Sequence, residues 1–210
     1  MKKIMFNDKY GLTQAVLEGR KTQTRRIVPI DIVNRIDMLC LLDFNKEPLK
    51  EEDKDYNCYE NSDGDFIDVR LLARYRVGEE VSVAQKYVDV LDYNFIHLDK
   101  SSVLNDVILN DASYKAGKEN KMFVKAKFMP HSIKMANIRI ERLQDISKED
   151  CLKEGVKRKN ERYVVENQKG VVFYTNDPTL AFRCLIDKTC GKGTWDSNPY
   201  VFVYDFELVK

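Results

Sequence analysis

The chain has 210 residues and a formal net charge of +1, and 43% of its residues are hydrophobic. This length predicts one domain, and the hydrophobic fraction excludes wholesale disorder. No apolar run is long enough to cross a membrane, and five cysteines without CxxC spacing predict reduced thiols in a cytoplasmic protein. The near-neutral charge predicts no general attraction to nucleic acid, so any such binding needs a local basic patch.

The first predicted elements are a strand and a short helix. The opening residues MKKIMFNDKYG lack the apolar segment of a signal peptide, and they are expected to form the first strand. A helix is predicted over about residues 10–18, where Leu12 and Val16 lie on one apolar stripe. Gly19 suits the position just after the end of this helix.

Two segments are predicted to be insertions, at about residues 30–75 and 88–113. The first is acidic and polar without clear periodicity, and the second is predicted to be partly helical. Acidic residues at 53 and 55 resemble the start of a calcium loop, but Cys58 and Gly64 stand where such a loop needs a glycine and a glutamate. A solvated loop is therefore expected there, and neither a calcium site nor a zinc site is predicted.

Three strands are predicted in the middle of the chain. One follows the turn at Gly78, a second covers residues 121–130, and a third covers residues 132–143. In the third strand, apolar residues alternate with charged ones, which places Ile138 and Ile140 on one face.

The C-terminal part is predicted to contain two capped helices, a hairpin and a final strand. Ser147 can cap the first helix, with Gly155 closing it, and Asp177 can cap the second. The hairpin turns at NQKG, and the apolar final strand covers about residues 199–208.

The order of these elements predicts an α+β fold: one domain over residues 1–210, built on a small, mostly antiparallel β-barrel with flanking helices. The sequence contains no phosphate-cradling glycine loop, no nucleophile elbow and no HExxH motif. No cofactor is therefore expected.

The segment GRKTQTRR concentrates positive charge after the first helix. Its candidate ligand-binding residues are Arg20, Lys21, Thr22, Arg25 and Arg26. Guanidinium groups and hydroxyls suit a phosphate-binding site, whereas an edge strand with solvated charges is the alternative. The arginines near Lys21 favour its neutral form, in which it could act as a base toward a threonine hydroxyl. In an extended segment, however, Lys21 and Thr24 lie on opposite faces.

Glu154 is a second candidate site residue. It lies in the last turn of the helix capped by Ser147, where the helix dipole disfavours a carboxylate. Residues that break such local rules are enriched at functional sites, although Glu154 could also be solvated and pair with Lys157 or Arg158. The aromatic residues from 195 to 206 could stack on bases, but their strand spacing favours a core position.

Together these motifs resemble the ASCH family of the PUA-like superfamily, in particular a longer subgroup from phage-like and gut bacterial genomes. The resemblance is carried by GRKTQTRR, VGEEVSV, YKA, MPHSIKMANIRIERLQDISKEDCLKEGV and WDSNPYVFVYDFEL. It implies a PUA-like β-barrel with helices closing its ends, and a cleft associated with RNA or nucleosides. One branch of the family removes the acetyl group from acetylated cytidine with a lysine, a threonine and a glutamate. These match Lys21, Thr24 and Glu154.

The resemblance implies a protein that binds RNA or a nucleotide-like ligand in a basic cleft lined by Lys21, Thr24, Arg25, Arg26 and Glu154. One alternative is an amidohydrolase acting on acylated cytidine-type nucleosides, with Lys21 as base, Thr24 as nucleophile and Glu154 as proton donor. Another alternative is an accessory module that binds a protein partner through the acidic first insertion. Neither a metal nor a membrane is expected as a partner.

Overall fold

The computed structural model describes residues 1–34, 58–60, 66–97 and 101–209. The positions considered for a calcium loop, 53–57, and most of the first predicted insertion lie outside the described residues. The insertion boundaries therefore stay predictions. The described residues form a mixture of helices and strands, in agreement with the predicted α+β class.

The described strands form three sheets. Their bounds are β1 Lys2–Ile4, β2 Gln23–Ile27, β3 Cys58–Glu60, β4 Phe66–Asp68, β5 Glu80–Val83, β6 Ser132–Arg142, β7 Lys157–Lys159, β8 Arg162–Asn167, β9 Gly170–Thr175 and β10 Tyr200–Val209. The main sheet has the order β1-β5-β6-β10-β2, in which β1 and β5 are parallel and the other neighbours are antiparallel. Because β1 and β2 are edges of this sheet, the described strands do not close into a barrel.

Seven helices are described with both ends. Their bounds are α1 Leu12–Leu17, α2 Tyr87–His97, α3 Ser101–Leu109, α4 Tyr114–Gly117, α5 Lys148–Lys153, α6 Pro178–Cys190 and α7 Thr194–Ser197. Helices α2 and α3 account for much of the segment 88–113, which was expected to be partly helical. Residues 30–34 are helical as well.

The first half of strand β10 is buried on both faces, as its apolar run predicts. Phe202 and Tyr204 pair with Ile140 and Ile138 of β6, and all four belong to one hydrophobic cluster. Val203, which points to the opposite face, belongs to a second cluster that includes residues of α5 and α6. Strand β10 therefore separates two hydrophobic clusters.

Helices α5 and α6 begin at the caps that the sequence predicts. The side chain of Ser147 accepts a hydrogen bond of 3.0 Å from the amide of Asp150. Asp177 likewise accepts one of 2.9 Å from the amide of Thr179. Gly155 follows α5 with a φ of 102°, a conformation that side chains disfavour. These local signals determine where both helices lie along the chain.

The predicted strand over residues 121–130 is wrong. This segment contains a short 3₁₀ helix, Ala126–Phe128, and no strand. The amide of Lys125 donates to the hydroxyl of Tyr87 in α2 at 2.9 Å, and Val124 is buried with Tyr87 in a third hydrophobic cluster. The Lys125 amide and the Val124 side chain therefore contact α2 and are not available for pairing in a β-sheet.

Replacing Ser147 with alanine should lower the free energy of unfolding by about 1 kcal/mol, because the Asp150 amide loses its acceptor. Lys148→Ala, on an exposed position in the same first turn, should change it by less than about 0.5 kcal/mol. Urea unfolding followed by circular dichroism measures both variants. Equal effects of the two substitutions would contradict the role of Ser147 as the cap.

Candidate functional site

The end of α5 meets the chain just before β2 and brings together two residues that are 133 positions apart. The Nζ atom of Lys21 lies 2.6 Å from Oε2 of Glu154. Both residues are buried, with 2% and 5% of their surface exposed. The structure therefore places these two candidate site residues in direct contact.

Lys21 has an acceptor for every proton of its ammonium group. Besides the carboxylate of Glu154, Nζ donates to the backbone oxygens of Gln23 and Glu154, each at 2.7 Å. Burial lowers the pKa of Lys21, the carboxylate of Glu154 acts in the opposite direction, and the charges of Arg26 and Arg25 lower it further. Burial, which the sequence could not reveal, is thus a larger cause than the neighbouring arginines.

The turn after α5 holds this helix close to the residues that precede β2. A Cβ atom on Gly155 would lie 3.0 Å from the side chain of Leu12 and 3.5 Å from that of Lys21. The amide of Thr22 donates to the carbonyl oxygen of Lys153 at 3.0 Å. Glycine is therefore required here both for its backbone conformation and for the close approach of the two segments.

Arg25 is also buried, and its guanidinium group binds side chains inside the protein. Its side chain is 1% exposed and contacts Glu141 at 2.5 Å and Glu154 at 3.1 Å, and it donates to Gln23 at 2.5 Å. Burial acts to lower the pKa of Arg25, but the carboxylates of Glu154 and Glu141 outweigh it and raise that pKa. Arg25 therefore neutralises internal carboxylates in this structure.

Arg139 extends these contacts along β6. Its guanidinium lies 3.0 Å from Glu141 and 2.8 Å from both Asp150 and Asp205, and Lys153 lies 2.9 Å from Asp150. The connected groups, hereafter the β2–α5 ion network, are the cations Lys21, Arg25, Arg139 and Lys153 and the carboxylates Glu141, Asp150, Glu154 and Asp205. Four positive and four negative charges therefore balance on this face of the sheet.

Thr24 lies on the other face of β2. It pairs with Tyr204 of β10, which belongs to the first hydrophobic cluster, and directly opposed residues of antiparallel strands share a face. Thr24 is 3% exposed. The predicted alternation therefore holds within the strand: Gln23 and Arg25 face the ion network, whereas Thr24 and Arg26 do not.

The two remaining arginines of GRKTQTRR are exposed. Arg20 pairs with Glu18 at 2.6 Å. Arg26 donates to the backbone oxygen of Met5 at 2.8 Å, and its guanidinium carbon lies 5.7 Å from the centre of the Phe6 ring. The cations of this segment are therefore divided between the protein interior and its surface.

Apart from Glu154, sequence patterns did not identify the members of the ion network that pair with the GRKTQTRR cations, although signals were present. Arg139 and Glu141 are two positions apart on β6 and so share one face. Asp205 interrupts the apolar run of the final strand. Which cations these groups meet depends on the register of β2, β6 and β10, which no local pattern specifies.

Comparisons of the chain with protein-family models, with curated proteins and with solved structures found no match. Within the part of the chain that the structure describes, no group of three or more His, Cys, Asp or Glu side chains is arranged to hold a metal ion. No helix of the same residues is long and apolar enough to span a bilayer. The proposed family relationship therefore depends on the motifs alone.

Arg25→Met should destabilise the fold by about 3–5 kcal/mol, because it removes a cation that Glu141 and Glu154 share and leaves the ion network with an uncompensated negative charge. Arg26→Met, the same change at the next position but on an exposed side chain, should cost less than about 1 kcal/mol. Urea unfolding followed by tryptophan fluorescence measures both losses. Similar losses for the two variants would contradict the structural role of Arg25.

Asp150 should make the stability of the fold depend on acid. Burial acts to raise its pKa, but hydrogen bonding to Lys153 and the charge of Arg139 lower it below its usual value. The stabilisation is therefore complete above the unfolded pKa, about 3.9, and is lost as pH falls through the lower folded pKa. Asp150→Asn should be less stable than the parent near neutral pH, and the difference should shrink below about pH 4. Thermal unfolding across this range is the measurement, and a constant difference would contradict the assignment.

Proposed function

We propose that this chain is an ASCH-type amidohydrolase that removes an acyl group from a cytidine-type nucleoside. The observation that carries the proposal is the buried contact of 2.6 Å between Nζ of Lys21 and Oε2 of Glu154. These two residues match the lysine and the glutamate of the branch that hydrolyses acetylated cytidine. A PUA-like relationship of the fold belongs to the same proposal and is supported by the antiparallel β6-β10-β2 unit.

The proposed reaction needs Lys21 as a general base and Glu154 as a proton donor, which are the roles that the resemblance gives them. Burial lowers the pKa of Lys21 and so favours the neutral amine that a base requires.

In the proposed reaction Thr24 supplies the nucleophile, and because it lies on the face of β2 opposite the ion network, this segment must turn its hydroxyl toward Lys21 before the reaction. Its hydroxyl proton passes to Lys21 as the oxygen bonds to the acyl carbon, and the proton of Glu154 passes to the departing amine as the C–N bond breaks. Water then attacks the threonine ester, giving one proton to Glu154, while Lys21 returns its proton to the Thr24 oxygen. Since all three residues are 5% exposed or less, a substrate reaches them only when the surrounding chain moves aside.

Binding of RNA or a nucleotide-like ligand without hydrolysis is the second candidate function. It is favoured by Arg26, which is exposed and lies 5.7 Å from the Phe6 ring centre, since arginines beside aromatic rings commonly contact bases and phosphates. Arg25 adds little to such a surface, because its side chain is 1% exposed. The third alternative, a protein partner bound through the acidic first insertion, concerns residues that lie mostly outside the described ones.

Incubation of the purified protein with N4-acetylcytidine should release cytidine, which chromatography detects. Lys21→Arg keeps a cation for Glu154 but cannot act as a base near neutral pH, and Thr24→Val keeps the shape of the side chain but lacks the hydroxyl. Each should lower kcat at least roughly a hundredfold. Thr24→Ser should keep part of the activity, and Lys192→Gln, an exposed lysine elsewhere on the chain, should keep all of it.

The activity should also fall as the pH is lowered through the pKa of Lys21, because protonation removes the neutral base. No cytidine above the level of the Lys21→Arg control, from mildly acidic to mildly basic pH, would reject the amidohydrolase. In that case, salt-dependent binding of short RNA that Arg26→Gln weakens would support the second candidate.

A further inference from the structure

A surface pocket of about 480 Å³ lies between the residues before β2 and the strand β7. It is hereafter called the β7 pocket. Its lining includes the cations Arg20, Lys157, Arg158 and Lys159 and the apolar residues Leu152 and Val156. The chain as a whole carries a net charge of only +1, and its β2–α5 ion network is neutral. Four cations around one pocket are therefore a local concentration of positive charge.

The cations of the β7 pocket outnumber the carboxylates that contact them. Glu18 lies 2.6 Å from Arg20. Glu166 lies 3.0 Å from Lys157 and also contacts Lys159. Among the residues that the structure describes, four cations therefore share two carboxylates, which leaves two positive charges at the pocket.

Arg158 is the cation with the greatest capacity for a ligand. Arg158 is exposed, and its guanidinium carbon lies 6.0 Å from the centre of the Tyr163 ring. An aromatic ring is uncharged, so this contact does not neutralise the positive charge of Arg158. A guanidinium binds a phosphate through two parallel hydrogen bonds. Leu152, with 37% of its surface exposed, adds an apolar surface beside these cations. A phosphate joined to a sugar and a planar ring matches both features.

The β7 pocket adjoins the buried Lys21–Glu154 pair along the chain. Arg20 directly precedes Lys21, and Leu152 and Val156 stand two positions on either side of Glu154. We propose that the β7 pocket binds the phosphate of a nucleotide, so that the preferred ligand is a phosphorylated nucleoside and not a free one. The choice of a nucleoside rests on the proposed function, whereas the phosphate site stands on the charges of the pocket.

Glu166 makes the proposal testable in two directions. Its carboxylate forms ion pairs with Lys159 and Lys157, and hydrogen bonds from these two lysines lower its pKa. The carboxylate therefore competes with an incoming phosphate for both lysines. Removing this carboxylate should strengthen phosphate binding, whereas removing cations should weaken it.

Calorimetric titration of the full chain with cytidine monophosphate, cytidine and inorganic phosphate, in a phosphate-free buffer at low salt, tests the site. Cytidine monophosphate should bind at least roughly tenfold more tightly than cytidine. The double variant Arg158→Gln with Lys159→Gln should lose this advantage, and Glu166→Gln should enlarge it. Lys192→Gln removes one exposed positive charge outside the pocket and should leave the advantage unchanged.

Equal affinities for the two ligands, no binding of cytidine monophosphate, or an advantage that survives in the double variant would each overturn the proposal. A short RNA distinguishes the source of the phosphate. If RNA binds more tightly than the mononucleotide, and the logarithm of its affinity falls with the logarithm of salt concentration by about 0.7 per phosphate contact, the site binds an RNA strand. If RNA binds no more tightly than the mononucleotide, the site binds a free nucleotide. If phosphate binding persists but no acyl group is hydrolysed, the proposed function fails and the phosphate site stands.

Discussion

The pairing of buried charges between β2 and α5 is the constraint on which this structure depends. An unpaired ion in a protein interior costs several kcal/mol, so Lys21 and Arg25 can be buried only if carboxylates reach them. Those carboxylates come from distant parts of the chain: Glu141 lies on β6 and Glu154 follows α5. The ends of α5, β2 and β6 must therefore meet at one place for both cations to be paired.

The hydrophobic clusters make these ion pairs both necessary and strong. Phe182 of α6 lies 5.9 Å from the guanidinium carbon of Arg25, and the Phe6 ring lies 5.8 Å from Nζ of Lys21. Apolar rings keep water away from the charges, which raises the cost of an unpaired ion and strengthens the attraction between paired ones. The same exclusion of water lowers the pKa of Lys21.

The charge of GRKTQTRR serves two purposes in this fold. Lys21 and Arg25 are neutralised inside the ion network, where they hold α5 against the sheet. Arg20 stays at the surface and joins the cations of β7, where positive charge exceeds negative charge. A protein with little net charge can thus carry a local positive surface next to a buried ion pair, because charge balance is decided separately at each site.

Local chemistry explains most of the elements that were predicted correctly. Ser147 and Asp177 cap their helices through hydrogen bonds within three residues, and the hairpin of β8 and β9 turns at the predicted NQKG. The predicted strand at 121–130 failed because contacts with Tyr87, more than thirty positions away, replace the local pattern. Propensity is a weak guide wherever such distant contacts form.

The sequence by itself determined the α+β class, the helix caps, the burial of β10 on both faces in its first half and the choice of Lys21, Thr24 and Glu154 as candidates. Only the tertiary structure decided that Lys21 and Glu154 touch and that Arg25 is enclosed. The physical reason is that caps and alternation are short-range properties of the backbone. The burial and pairing of a charge depend instead on which distant segments exclude water around it.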